Sequence, residues 1–233
     1  MISYTVATIL VLAAAVFSLW AGWFVKNTYK KYDRIRNARG ITGEDAARRV
    51  LSGKGLSHVP ISVIGGSLSD YYDPKNDRLC LSESSCSSSS AVAVGVACHE
   101  CGHAMQYAEN YFPAKFRMAI VPVTNFGAKT AWPLILAGAV FSAWIPKAYV
   151  LIYVGIALFG LSTLFQLVTL PTEFDASRRA LQAIREQNLL EGEDYLAAKK
   201  VLTAAALTYV AALAVSLTQL LRLIAMYGNR RKN

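Results

Sequence analysis

Three stretches of this chain carry no charged side chain: between Met1 and Lys26, between Lys147 and Glu173, and between Lys200 and Arg222. Each reaches the roughly 20 apolar residues that a helix needs to cross a bilayer. A fourth stretch, 130–146, is slightly short and follows Lys129. A lysine at that place can extend its ammonium group to the headgroups, so the stretch reads as a further span. Composition agrees, since 17% of the residues are charged, whereas soluble globular chains carry about 25%. The sequence therefore predicts a mainly α-helical, multi-pass membrane protein with about four transmembrane helices.

The first apolar run has no basic segment ahead of it and no small-residue cleavage site after Trp23. It reads as an uncleaved anchor rather than a signal peptide. Lys26, Lys30, Lys31, Arg34, Arg36 and Arg39 crowd behind it, which by the positive-inside tendency places that segment in the cytoplasm. Four spans would put Arg230, Arg231 and Lys232 outside, against the same tendency, so the side of the C-terminus stays open. The net charge of +9 is explained by the attraction of juxtamembrane basic segments to anionic membrane lipid. No patch interleaves aromatic and basic residues, which argues against nucleic acid as a partner.

Between the spans the pattern changes. Residues 26–39 read as an amphipathic surface helix ending at Gly40, and Thr42 as the N-cap of a helix over 43–51 with Glu44 and Asp45 in its first turn. Val59, Ile61 and Val63 then alternate, Gly65-Gly66 and Asp73-Pro74 mark turns, and 78–82 is β-prone, which predicts a small hairpin or sheet edge over 58–82. Ser82 to Ser90 reads as a flexible connector whose last residues cap an alanine-rich helix starting at Ala91. The expected layout is an anchor at 1–25, a cytoplasmic part at 26–115, a membrane hairpin at 116–171, a cytoplasmic segment at 172–200, and a last span with a basic tail at 201–233.

Within the alanine-rich helix stands His99-Glu100-Cys101-Gly102-His103, an HExxH pattern. Two imidazoles four residues apart share one helix face and can reach one zinc ion, while the glutamate beside the first faces the ion's open position, where it can accept a proton from water. The chain has only 3 histidines and two of them are these. Gly102 is a poor helix residue, which makes sense where another element packs closely against the backbone. A catalytic zinc takes three protein ligands. No histidine lies between Ala104 and Tyr111, so the longer metzincin pattern is absent. His58 is one candidate for the third ligand; Glu173, at the end of the apolar hairpin and behind Pro171 as a helix entrance, is the better one. Asp175 is the carboxylate best placed to orient a histidine from behind.

Cys80, Cys86, Cys98 and Cys101 fall in a part read as cytoplasmic, where disulfides are disfavoured. Cys98 and Cys101 form a lone CxxC in an apolar helical run, and read as small buried side chains.

The anchor, the GSLSDYYDP turn, the AVAVGVACHECGHAMQ helix, the VPVTNFG segment and LPTEFDASRRAL together resemble the bacterial neutral zinc metallopeptidase family of the YugP type over nearly the whole chain. The resemblance implies a zinc metalloendopeptidase of the bacterial cell membrane with one Zn2+ per chain, a small α+β zincin-like unit facing the cytoplasm, His99 and His103 as ligands, and Glu100 as catalytic base. The order of HExxH, membrane hairpin and glutamate is similar to the HtpX-like membrane proteases, an analogy that assigns Glu173 as third ligand. Many such proteins have an aspartate four residues after that glutamate; here the position is Ser177, and Asp175 is the substitute.

On this reading the enzyme hydrolyses peptide bonds of cytoplasmic or membrane-proximal proteins, Glu100 taking a proton from water activated by the ion and returning it to the leaving amine. Arg179, Arg178 and Tyr195 are candidates for the oxyanion donor, each also readable as a surface helix residue. Ile61 and Val63 are candidates for an edge strand that pairs with extended substrate. Two other functions stay open: a non-catalytic membrane scaffold that retains zinc, which would not need a base beside the site, and a redox or metal sensor built on Cys98 and Cys101. A membrane-protein partner or a second copy of the chain is compatible with all three.

Overall fold

A computed structural model describes residues 3–66 and 68–228. Ser67 of the GSLSDYYDP turn and the basic tail residues Arg230, Arg231 and Lys232 lie outside the described residues. The elements run in the order α1 (Tyr4–Tyr32), α2 (Gly43–Gly53), β1 (Ile61–Ile64), β2 (Tyr71–Asp73), β3 (Arg78–Ser82), α3 (Glu83–Ser87), α4 (Ala91–Ala108), α5 (Phe112–Phe141), α6 (Tyr149–Glu186) and α7 (Gly192–Tyr227). The protein is mainly helical, with one small mixed sheet among the described residues.

Among the described residues, three helices are long and apolar enough to cross a membrane: Tyr4–Tyr32, Pro146–Glu186 and Gly192–Tyr227. α5, which carries the shorter stretch before Pro146, is not one of them. Thr124, Asn125 and Lys129 dilute its apolar run, Pro122 and Pro133 lie inside it, and it ends at Phe141. The turn to α6 is a 3₁₀ segment over Pro146–Ala148.

Contacts divide the chain into two compact units. Among the described residues, the first comprises 3–20, 116–170 and 209–228. There α5 and α6 meet backbone to backbone. A Cβ on Gly138 would lie 2.7 Å from the Ile152 side chain, and one on Gly155 would lie 2.7 Å from the Ala131 carbonyl oxygen. Small residues at facing positions let two apolar helices approach closely enough for dispersion to hold them where burial from water contributes little.

The second unit, Ala21–Lys115 with Pro171–Thr208, contains the sheet and a conventional core. The strand order is β1-β3-β2, with β1 parallel and β2 antiparallel to β3. The hairpin is therefore β2–β3, and β1 joins on the far side of β3. Leu79 and Leu81 of the central strand are fully buried, each contributing about 2 kcal/mol of apolar burial. They pack into a cluster with Val50 and Leu51 of α2, Val94, Ala97, Cys98 and Cys101 of α4, Ile184 of α6 and Ala198 of α7.

Local signals act as the sequence suggests at α2: Thr42 accepts from the Asp45 N–H, and Asp45 accepts from the Thr42 N–H, a complete capping box. Elsewhere the structure corrects the reading. The basic segment is no separate surface helix: α1 continues through Lys26, Lys30 and Lys31 to Tyr32. The chain then turns because the Asn37 side chain binds the Ile41 and Ser89 carbonyls, an alternative to helical bonding that asparagine offers well. The serine run is not a simple connector. Ser82 caps α3 by accepting from the Ser85 N–H, and the Asp70 carboxylate accepts from the Ser82 N–H at 2.7 Å and from the Ser82 and Ser85 hydroxyls. Pro171 is not a helix entrance either. It lies inside α6, which runs on unbroken and carries Glu173 away from the apolar stretch.

Candidate metal centre

α4 supplies one wall. Ser90 caps it by accepting from the Ala93 N–H at 3.0 Å, and its alanine, valine and cysteine residues bury one face in the core, turning His99 and His103 to the other. The two rings stand edge to face with centroids 4.9 Å apart. Cys101 points away from them, its thiol near the Ala47 carbonyl.

α6 supplies the other wall. A Cβ on Gly102 would lie 2.4 Å from the Ala176 carbonyl oxygen, so only glycine permits the two helices to meet there. That contact, between the two α4 histidines' turn and the α6 turn after Glu173, brings Glu173 to the imidazoles. The Glu173 Oε2 is 3.3 Å from His99 Nε2 and 3.7 Å from His103 Nε2. One ligand atom from each of the three residues lies within 4.8 Å of the other two, and they form the one such His/Cys/Asp/Glu group among the described residues. Atoms bound tetrahedrally at about 2.0–2.2 Å from zinc are separated by about 3.3–3.6 Å. The donor set and the two Glu173 distances thus fit a zinc ion.

Glu100 is 8% exposed. Burial pushes its carboxyl above the ordinary range, with the neighbouring imidazoles working against that shift. Its Oε2 accepts from the backbone N–H of Tyr72 at 3.1 Å, which ties the edge strand β2 to the carboxylate. The Tyr72 hydroxyl donates to Asp77, and its ring packs 5.6 Å from that of Tyr107.

Behind the imidazoles, Ser177 Oγ lies 3.1 Å from His99 Nδ1. Asp175 touches neither histidine directly. Its carboxylate accepts from Gln106 Nε2 at 3.0 Å, from Arg179 Nε at 2.5 Å, and from Arg178. Gln106 Oε1 faces His103 Nδ1 at 3.0 Å. Gln106 was not legible as a site residue by motif, although its position three residues after His103 on the same helix face is a usable signal.

The other sequence candidates are engaged elsewhere. Arg179 also binds Glu109 at 2.6 Å, Arg178 pairs with Asp175, and the Tyr195 ring lies 4.5 Å beneath the Arg185 guanidinium. His58 pairs with Asp77 at 3.3 Å and does not join the three-residue group. Ile61 and Val63 lie on β1, the outer strand opposite β2, with Val63 59% exposed. All four cysteines are buried free thiols. Burial pushes Cys98 up to about 12 and Cys101 well above the usual thiol range.

The sequence matches, over residues 7–228, the family described as "putative neutral zinc metallopeptidase". It is 41% identical over 222 residues to the "putative membrane protease YugP" of Bacillus subtilis (strain 168), covering 95% of this chain and 96% of that protein. No solved structure matches the chain. With a match spanning nearly its whole length and a donor set that fits zinc, the chain belongs to the neutral zinc metallopeptidase family.

Proposed function

We propose that this protein is a membrane zinc endopeptidase that hydrolyses peptide bonds of cytoplasmic or membrane-proximal polypeptides, with His99, His103 and Glu173 holding one Zn2+ and Glu100 acting as base. The observation that carries the reading is the convergence of those three ligand atoms next to a buried carboxylate on the same helix. The name of the Bacillus relative, a membrane protease, supports it.

When bound, zinc supplies Lewis acidity, polarising the scissile carbonyl and making water easier to deprotonate. Glu100 accepts the proton of the attacking water and returns it to the leaving nitrogen, a role for which a raised carboxyl pKa is suited. Its surroundings keep it poised: the core behind it excludes water and the Tyr72 N–H orients one carboxylate oxygen. Extended substrate would lie along a sheet edge. The edge beside Glu100 is β2, which supports pairing of substrate there, while Ile61 and Val63 sit across β3. Arg179, Arg178 and Tyr195 remain the side chains to test as oxyanion donors by substitution.

The basic cluster from Lys26 to Arg39 supports a cytoplasmic setting for the site and contact with anionic lipid, in a bacterial plasma membrane crossed four times with α5 completing the hairpin. The zinc-retaining scaffold is separated from this reading by one experiment. Purified protein in detergent should cleave an unfolded polypeptide such as casein, and Glu100→Gln should abolish cleavage while keeping its zinc; equal cleavage by both proteins would overturn the proposal.

A further inference from the structure

We infer that Gln106 is the positioning residue of the metal centre: it fixes which nitrogen of His103 faces the ion and couples that ring to a charged cluster on α6. The inference rests on the zinc site proposed above and concerns a residue outside the HExxH pattern.

Gln106 is fully buried, at 0% exposure, and a buried amide is tolerated only when its polar atoms are paired. Its orientation follows from what surrounds it. The Nε2 faces the Thr172 carbonyl oxygen at 2.8 Å and the Asp175 Oδ2 at 3.0 Å. A carbonyl can only accept, and a carboxylate that receives two guanidinium groups is ionised and can only accept as well. Both amide hydrogens are therefore committed to α6, and the carbonyl oxygen of Gln106 must be the atom facing His103 Nδ1. An acceptor there requires a proton on Nδ1, which leaves Nε2 with its lone pair toward Glu173 and the metal position.

Asp175 is held in turn by Arg178 and Arg179, and Arg179 by Glu109 at the end of α4. The chain His103–Gln106–Asp175–Arg179–Glu109 thus leaves α4, crosses to α6 and returns to α4. It closes a loop around the same contact that Gly102 and Ala176 make by packing. His99 gets its outer partner by a shorter route, from the Ser177 hydroxyl on α6. Outer partners of this kind typically change metal affinity by about 10–100-fold. With Gln106 between them, the Asp175 charge acts on His103 through a neutral amide. The device orients the ring without placing a second carboxylate against it.

The test uses the full-length protein in detergent. Zinc affinity is measured by chelator competition for wild type, Gln106→Met and Gln106→Glu, together with the visible spectrum of each after cobalt substitution. Gln106→Met keeps volume and loses both hydrogen-bonding functions; it should bind zinc about 10–100-fold more weakly and alter the cobalt spectrum. Gln106→Glu keeps an oxygen for His103 and should fall between the two. Affinity within twofold of wild type for a folded Gln106→Met, with an unchanged cobalt spectrum, would overturn the proposal.

A measurement on the wild type alone covers the case in which that variant fails to fold. The chain has only 3 histidines, so 15N-histidine NMR of the zinc-loaded protein is assignable. His103 should show a protonated Nδ1 and a metal-bound Nε2; a metal-bound Nδ1 at His103 contradicts the proposal while leaving the zinc site itself intact. No zinc in the wild type would overturn the underlying metal reading and this inference with it.

Discussion

The two walls of the proposed metal centre are built on different principles. On α4, His99, Glu100 and His103 are arranged by helical periodicity alone, within five residues, so a local element carries most of the proposed chemistry. On α6, Glu173, Asp175 and Ser177 have no such arrangement of their own. They reach the centre because Gly102 lets the Ala176 backbone come within contact and because Gln106 bonds across the gap. The α4 wall should therefore fail residue by residue in chemistry, while the α6 wall should fail through packing and metal affinity.

The largest effect is expected at Glu100. Replacing it by Gln removes the base and should lower kcat about 10³-fold, within the range for general acid–base groups, with zinc content unchanged in the same preparation. Next comes the helix contact. Gly102→Val forces a side chain into the Ala176 carbonyl, and should lower stability by about 1–3 kcal/mol or more, together with zinc binding, in thermal melts with and without chelator. Gly160, also on α6, has open space where a Cβ would stand, with nothing within 4 Å, and Gly160→Ala should leave both properties intact; equal damage from the two substitutions would remove the close contact from the account.

A smaller effect is expected behind His99. Ser177→Ala should weaken zinc binding by about tenfold without changing the melting temperature of the zinc-free protein. The smallest is at the α2 cap, where Thr42→Ala should cost about 1 kcal/mol in stability and leave zinc affinity and peptide cleavage alone. A loss of zinc there would mean that α2 controls the site more directly than its capping role requires.

The α4 half of the centre was legible because its information is local: charge gaps, the HExxH spacing and the poor helix residue Gly102 can each be read within one helical turn or one span. Glu173 could be named because it stands where an apolar run ends, although nothing local specifies the distance to His99. What could not be read is tertiary. The ordered serine run depends on Asp70, twelve residues before Ser82. The helix through Pro171 persists because its residues on either side are packed, overriding a local breaker. Asp175 binds Gln106 rather than a histidine, a geometry set by how α4 and α6 pack. The strand nearest the base is β2 rather than β1 because β1 pairs in parallel on the far side of β3, a topology that alternation of side chains cannot reveal.

The central claim is that three residues from two distant segments hold one zinc ion. Its most direct test is the zinc content of purified wild-type protein beside Glu173→Gln and His103→Ala, each checked for helical content. The account predicts about one zinc per chain in the wild type, as expected for a three-ligand catalytic site, and loss of the metal in both folded variants. Full zinc in Glu173→Gln would contradict it, because the ion would then be held without the ligand that α6 brings to α4.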